Sequence, residues 1–99
     1  MEHERKQDTL TVYLSGELDH CCAQSIRREL DHLISDSSVR HLVLDMKQMG
    51  FMDSSGIGVI LGRYRAMHQR GGTVSVKNMN PQVHRIFILS GMQQVIRIM

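Results

Sequence analysis

The sequence predicts a single α/β domain: a mixed central β-sheet with helices packed on it. Three observations carry that expectation. Short strand-like runs, alternating or continuously apolar, trade places along the chain with runs of helical spacing. The helical runs open at capping residues and close at glycines. At 99 residues and 41% hydrophobic, the chain has the length and composition of one domain with its own core. The expected order is β-β-α-β-α-β-α-β over residues 1–99, with right-handed crossovers between parallel strands.

Residues 2–7, Glu2-His3-Glu4-Arg5-Lys6-Gln7, are polar and weakly patterned, an edge strand or a frayed terminus. Leu10, Val12 and Leu14 alternate with Thr9, Thr11, Tyr13 and Ser15, which is a strand, and Gly16 is expected to break it. Glu17-Leu18-Asp19-His20 then forms a turn, with Asp19 as a cap for a helix whose inner face is Ala23, Ile26, Leu30, Leu33 and Ile34. That helix ends near Ser35-Asp36-Ser37-Ser38. Leu42, Val43, Leu44 and Met46 form a nearly continuous apolar run, the pattern of a strand covered on both faces. A turn is expected at Gly50, and Gly71-Gly72 closes the helix that follows. Thr73–Lys77 is a strand. Asn80-Pro81 is a cap followed by a first-turn proline, opening a helix with Val83, Ile86 and Phe87 inward and Gly91 at its close. Val95-Ile96-Arg97-Ile98 is the last strand.

Charge and targeting signals exclude several classes. The net charge is only +2, with acids and bases mixed, so nothing forms a nucleic-acid surface or a basic membrane-binding helix. The apolar runs are too short to span a bilayer, and the polar N-terminus has no signal core, so a cytoplasmic protein with no direct membrane insertion is expected. Cys21 and Cys22 are adjacent, which suits neither an ordinary intrachain disulfide nor C-x-x-C metal spacing; they are expected to be small, partly buried thiols.

The chain is organised around Phe51–Tyr64. An apolar pair leads into Asp53-Ser54-Ser55-Gly56, and Ile57, Ile60, Leu61, Tyr64 and Met67 then fall on one helical face. Asp53 and Ser54 are both N-cap residue types. The Ser54 hydroxyl is expected to be exposed beside free amides, where an attached anion would be favoured by those amides and the helix dipole. Gly58 and Gly62 share another face, and each weakens the helix relative to Ala by about 1 kcal/mol. Such a bare stripe admits another backbone, either a neighbouring helix of the same domain or a docking partner. In α/β sheets function gathers beyond the carboxyl ends of strands. Two loops qualify, Gly16–His20 and Met52–Gly56, and they are expected on one sheet edge.

Enzyme and cofactor motifs fit poorly. Gly56-x-Gly58-x-x-x-Gly62 misses the dinucleotide fingerprint by one residue, and no phosphate-gripping G-x-x-x-x-G-K-[ST] loop is present. Ser54 sits on a strand-to-helix turn but not in G-x-S-x-G, and none of the six histidines is marked as its base. His20-Cys21-Cys22 is dense in metal ligands, but consecutive residues point in different directions. No cofactor, metal or catalytic residue is expected. What remains is a binding module with an exposed, modifiable serine.

The fourteen residues Phe51–Tyr64, with Asp53-Ser54-Ser55-Gly56 at their centre, closely resemble the signature of the sporulation anti-sigma F factor antagonists of the STAS domain family. Gly16-Glu17-Leu18-Asp19-His20 matches a second family segment, and Arg40-His41, Asn80-Pro81 and Ser90-Gly91 fall in similar places. The resemblance covers nearly the whole chain. It implies a STAS-type α/β fold and a protein that is not an enzyme but an anti-anti-sigma factor. The partner it implies is the anti-sigma F factor, an ATP-bound serine kinase. Binding that kinase releases the sporulation sigma factor, phosphorylation of Ser54 switches binding off, and a serine phosphatase restores it. The docking surface implied comprises Gly16, Glu17, Leu18, Asp19, Met52, Asp53, Ser54, Ser55, Gly56, Ile57, Gly58 and Arg63. Two other functions fit the resemblance: an antagonist of another, stress-response anti-sigma kinase, and a STAS module that binds a small ligand or nucleotide. The stress-response antagonists tend to carry Thr where this chain has Ser55. Family members often add a helix after the last strand; here the sequence reaches only Met99, so the expectation is either that this lineage lacks the helix or that the sheet is left with a bare side.

Overall fold

A computed structural model describes all residues 1–99. Its elements are β1 (His3–Lys6), β2 (Thr9–Leu18), α1 (Ala23–Ile34), β3 (His41–Met52), α2 (Ser54–Gln69), β4 (Thr73–Lys77), α3 (Pro81–Leu89), a single 3₁₀ turn (Met92–Gln94) and β5 (Arg97–Ile98). The five strands form one sheet in the order β1-β2-β3-β4-β5. β1 is antiparallel to β2, joined by a two-residue hairpin in which Gln7 takes positive φ, and β2 to β5 are parallel. Of the two readings for residues 2–7, the edge strand holds, over His3–Lys6. Each parallel pair is joined through one helix, as the alternation of patterns requires.

One sheet face carries the core. Leu10, Val12 and Leu14 of β2, Leu42, Leu44 and Met46 of β3, and Val74 and Val76 of β4 are all buried there. They meet Leu30 and Ile34 of α1, Val59, Ile60 and Met67 of α2, and Val83 and Phe87 of α3 in one core of 21 residues. Burying such side chains contributes about 1.5–3 kcal/mol each, the main force holding the helices to the sheet. Val43, on the opposite side of β3, is buried but stands outside that core. The continuous apolar run therefore does not mark a second core of the same kind.

β3 departs most from the sequence reading. Gly50 is not a turn: the strand runs through it to Met52. Gly16 likewise does not end β2, which continues to Leu18. The register against β2 explains both. Tyr13 faces Asp45 but Ser15 faces Gln48, and Gly16 faces Met49 but Glu17 faces Phe51. At each step β3 gains one residue over β2, which is a β-bulge. A bulge shifts the inward/outward alternation by one. Met46, Met49 and Met52, three residues apart, would not share a face in a regular strand; with two bulges all three are buried, at 1% exposure or less. Gly16 sits at the second irregularity with φ +84°, a conformation side chains disfavour.

The helices follow their caps. α2 is capped by Asp53 and closes at Arg70, with Gly71 at φ +77°. Its buried stripe is Gly56, Val59, Ile60, Arg63 and Met67, while Ile57, Leu61 and Tyr64 are half-buried. The helix is thus rotated from the face its apolar spacing indicates. The expected last strand shortens to Arg97–Ile98: after Gly91 the chain makes the 3₁₀ turn, Ile96 plugs the core and Val95 points outward.

Candidate functional site

The carboxyl ends of β2 and β3 lie side by side, Leu18 opposite Met52. The two loops singled out in the sequence therefore meet, as expected. Asp53 ties them together. Its Oδ1 accepts from the backbone N–H of Ser55 at 2.8 Å and of Gly56 at 3.4 Å, and its Oδ2 accepts from the N–H of His20 at 3.3 Å. The Asp53 N–H donates to Leu18 O at 3.3 Å. One carboxylate thus caps α2 and anchors the β2–α1 loop.

Asp19 does a related job one loop away. Its Oδ1 accepts from Cys22 N at 3.0 Å. It caps the turn before α1 rather than α1 itself, whose N-cap is Cys22. The Cys22 amide holds the Asp19 carboxyl below its usual range. Desolvation and the Asp19 carboxylate push the Cys22 thiol up, so it stays protonated and weakly nucleophilic. Both cysteines are exposed, not partly buried as the composition led us to expect. Across the chain no three His, Cys, Asp or Glu side chains gather to hold a metal.

Ser54 is the first residue of α2 and is exposed. Its amide surroundings correct one expectation. Two N–H groups of the first turn are not available to an anion on Ser54, because Asp53 already takes those of Ser55 and Gly56. An added phosphate would stand beside a carboxylate instead of in an empty amide nest.

The predicted docking residues divide by burial. Gly16, Glu17, Ser54 and Gly58 are exposed, and Asp19, Asp53, Ser55 and Ile57 are half-buried. Leu18, Met52 and Gly56 are buried and support this surface from beneath instead of forming it. At Gly56 a Cβ would lie 2.6 Å from Leu18 O and 2.4 Å from Met52 Cγ, so only glycine lets α2 start this close to the strand ends. Arg63 is only 7% exposed and faces the groove between α1 and α2. Burial lowers its pKa, with Asp31 acting in the opposite direction.

Sequence reasoning missed two kinds of residue. Phe51 is 41% exposed, opposite Glu17 and three residues from Ser54, an apolar contact surface at the rim. The bulges put it there. Gln82 and Asn80 hold the free edge of β3 beyond Asp45, where β4 no longer pairs with it. Gln82 Oε1 accepts from Met52 N at 3.2 Å and Gln82 Nε2 donates to Met52 O at 3.1 Å. Asn80 Nδ2 donates to Met49 O at 3.0 Å and Gly50 O at 3.2 Å, while its Oδ1 caps α3 through Val83 N at 2.8 Å. The Asn-Pro signal shows the cap; nothing in the sequence marks the reach to β3.

Comparison with known proteins places this geometry. The STAS domain model matches residues 1–99. An anti-sigma F factor antagonist of Paenibacillus polymyxa is 46% identical, over 99% of this chain and 82% of its own length. The structure of the anti-sigma factor antagonist SpoIIAA in its unphosphorylated form superimposes with a TM-score of 0.83 at 30% identity, covering 99% of this chain and 86% of that one. That of the Bacillus cell fate determinant SpoIIAA in the phosphorylated form gives 0.75 at 29% identity, over 99% and 89%. These relatives are antagonists of regulatory factors, in accord with the expectation that the chain is not an enzyme. No helix is long and apolar enough to cross a membrane. With the whole chain matched, and with fold and strand order in agreement, this protein belongs to the STAS domain family.

Proposed function

We propose that this STAS domain is an anti-sigma F factor antagonist working in the cytoplasm. In its unphosphorylated form it binds the ATP-bound anti-sigma F serine kinase through the joined ends of β2, β3 and α2, and so releases the sporulation sigma factor. Phosphorylation of Ser54 switches it off and a serine phosphatase restores it. The observation that carries this reading is Ser54 itself, exposed at the first turn of a helix whose amides its neighbour Asp53 already occupies. The similar proteins add support, since one of them is known in a phosphorylated form.

The physics of the switch is local. A phosphate brings about −1.5 to −2 charges at neutral pH. Beside Ser54 stands Asp53, and at the adjoining end of β2 are Glu17, in the strand, and Asp19, just after it. The folded domain bears this charge because Ser54 faces solvent. A docked complex does not, because burying a dianion among carboxylates without cations to meet it is costly. Phosphorylation therefore acts on the interface and leaves the fold intact.

The test is an intact-mass and peptide-mapping assay with the anti-sigma kinase of the same genome and Mg-ATP. One phosphate on Ser54, absent from Ser54→Ala, is the expected result. No transfer, by a kinase active on its own known substrate, contradicts the reading.

A further inference from the structure

At the amino end of the sheet a notch of about 420 Å³ opens beside the free edge of β4. β5 pairs only with Ser75 and Val76, so the first two residues of β4 have no neighbour on that side. One backbone donor is left over there. The Thr73 N–H donates to Arg40 O at 2.9 Å, on the β3 side, and the alternation of a parallel ladder turns the Val74 N–H the other way. Its ladder partner would be the Val95 carbonyl, but Val95 lies before β5 and no bond joins the two. Both residues line the notch. Its walls differ. On one side Tyr64 and His68 stack, with ring centroids 5.4 Å apart and planes 23° from parallel. On the other, Arg97 stands opposite Ser75, and His41 opposite Thr73. The lining thus holds three basic side chains, three hydroxyls and no carboxylate. His41 is already engaged, its Nδ1 2.7 Å from Thr73 Oγ1 and its Nε2 3.8 Å from Asp8 Oδ2. Arg97 and His68 enter no ion pair within the chain.

We propose that this notch binds the phosphate group of a small organic phosphate. Arg97 takes two phosphate oxygens in the planar fork that guanidinium offers, and the Ser75 hydroxyl and the Val74 N–H donate to the same group. A flat organic part lies against the Tyr64–His68 stack. The chemistry of the lining selects the ligand. Arginine, hydroxyl and backbone N–H are the donors that phosphates take, and a dianion meets no acidic side chain in this lining. The volume lies within the range of small-molecule sites, about 300–1,000 Å³. The notch is remote from Ser54. His68 lies near the other end of α2, about 20 Å along its axis, and His41 and Thr73 open strands β3 and β4. The inference therefore stands independently of the docking function proposed above.

The experiment is an amide-resolved NMR titration of the full chain with inorganic phosphate and, separately, with phenyl phosphate, at fixed ionic strength. It uses wild type, Arg97→Gln, His68→Gln and Arg65→Gln, with thermal unfolding of each. Saturable shifts centred on Val74, Ser75 and Arg97 are expected, with phenyl phosphate binding about threefold to tenfold tighter than phosphate. Arg97→Gln weakens both probes about tenfold or more. His68→Gln removes most of the advantage of phenyl phosphate. Arg65, an exposed base of α2 outside the notch, is the control, and Arg65→Gln leaves both affinities unchanged. All three side chains are exposed, so each Tm stays close to that of wild type. Equal affinity for the two probes assigns the notch to free phosphate and overturns the organic ligand. Shifts that do not saturate, or that Arg65→Gln reduces as much as Arg97→Gln does, overturn the site. Neither result bears on docking at Ser54.

Discussion

Two parts of one helix use glycine for opposite reasons. At Gly56 the first turn of α2 is pressed against the ends of β2 and β3, and an added Cβ would collide with the Leu18 carbonyl oxygen at 2.6 Å. Half a turn and a turn and a half further on, Gly58 and Gly62 face open space. The intrinsic cost to the helix is the same at all three positions. At the first it is offset by close packing that sets where Ser54 stands. At the other two nothing within the domain offsets it. One end of the helix is thus built for position and the adjoining face for access.

Four substitutions break or sharpen that contrast, the largest expected effect first. Gly56→Ala forces α2 away from backbone that cannot yield, and should destabilise the domain by about 3 kcal/mol in denaturant unfolding. Gly58→Ala should do the reverse, by about +0.5 to 1 kcal/mol; equal destabilisation by both would remove the distinction. Asp53→Ala strips the cap of α2 and the tether of the His20 loop together, and should cost about 1–2 kcal/mol, with hydrogen exchange rising at Ser55, Gly56 and His20. Gln82→Ala should cost about 1 kcal/mol, with the faster exchange confined to the Met52 amide.

The smallest effect lies far from the site. Ser38, through its hydroxyl and its N–H, and then Arg5 hold the Asp36 carboxyl down from 3.8 to about 2. The folded pKa is below the unfolded one, so the contribution is present above about pH 4 and is lost as pH falls toward 2. Asp36→Asn should therefore flatten the acid limb of the stability curve between those values, with no change in partner binding. Asp36 is fully exposed, and the change in Tm should be slight.

The order of elements and the meeting of the two loops were legible because they follow from apolar period and capping residues, which act locally. Asp53-Ser54-Ser55-Gly56 was legible for the same reason: a capping carboxylate followed by small residues marks a helix start wherever it occurs. The bulges in β3 were not. They depend on the register against β2, and a strand read alone shows only that Met46, Met49 and Met52 fit neither period. This is why Gly50 looked like a turn and why nothing in the sequence set Phe51 at the rim. Arg63 shows the converse limit. Its sequence context places it on α2, but its burial and unmet N–H groups come from the crossing of α1 over α2, which no local pattern encodes. Gln82 belongs with it, since a surface glutamine becomes a strand clamp only because β4 ends at Lys77.

The central claim is that charge on Ser54 acts on docking and not on folding. The direct measurement is calorimetric titration of the anti-sigma kinase with unphosphorylated protein and with protein stoichiometrically phosphorylated on Ser54, alongside the Tm of each. The account predicts affinity about a hundredfold or more weaker for the phosphorylated form, with Tm values within about 2 °C. Equal affinities would contradict it, and so would a phosphorylated form that loses binding only because it has unfolded.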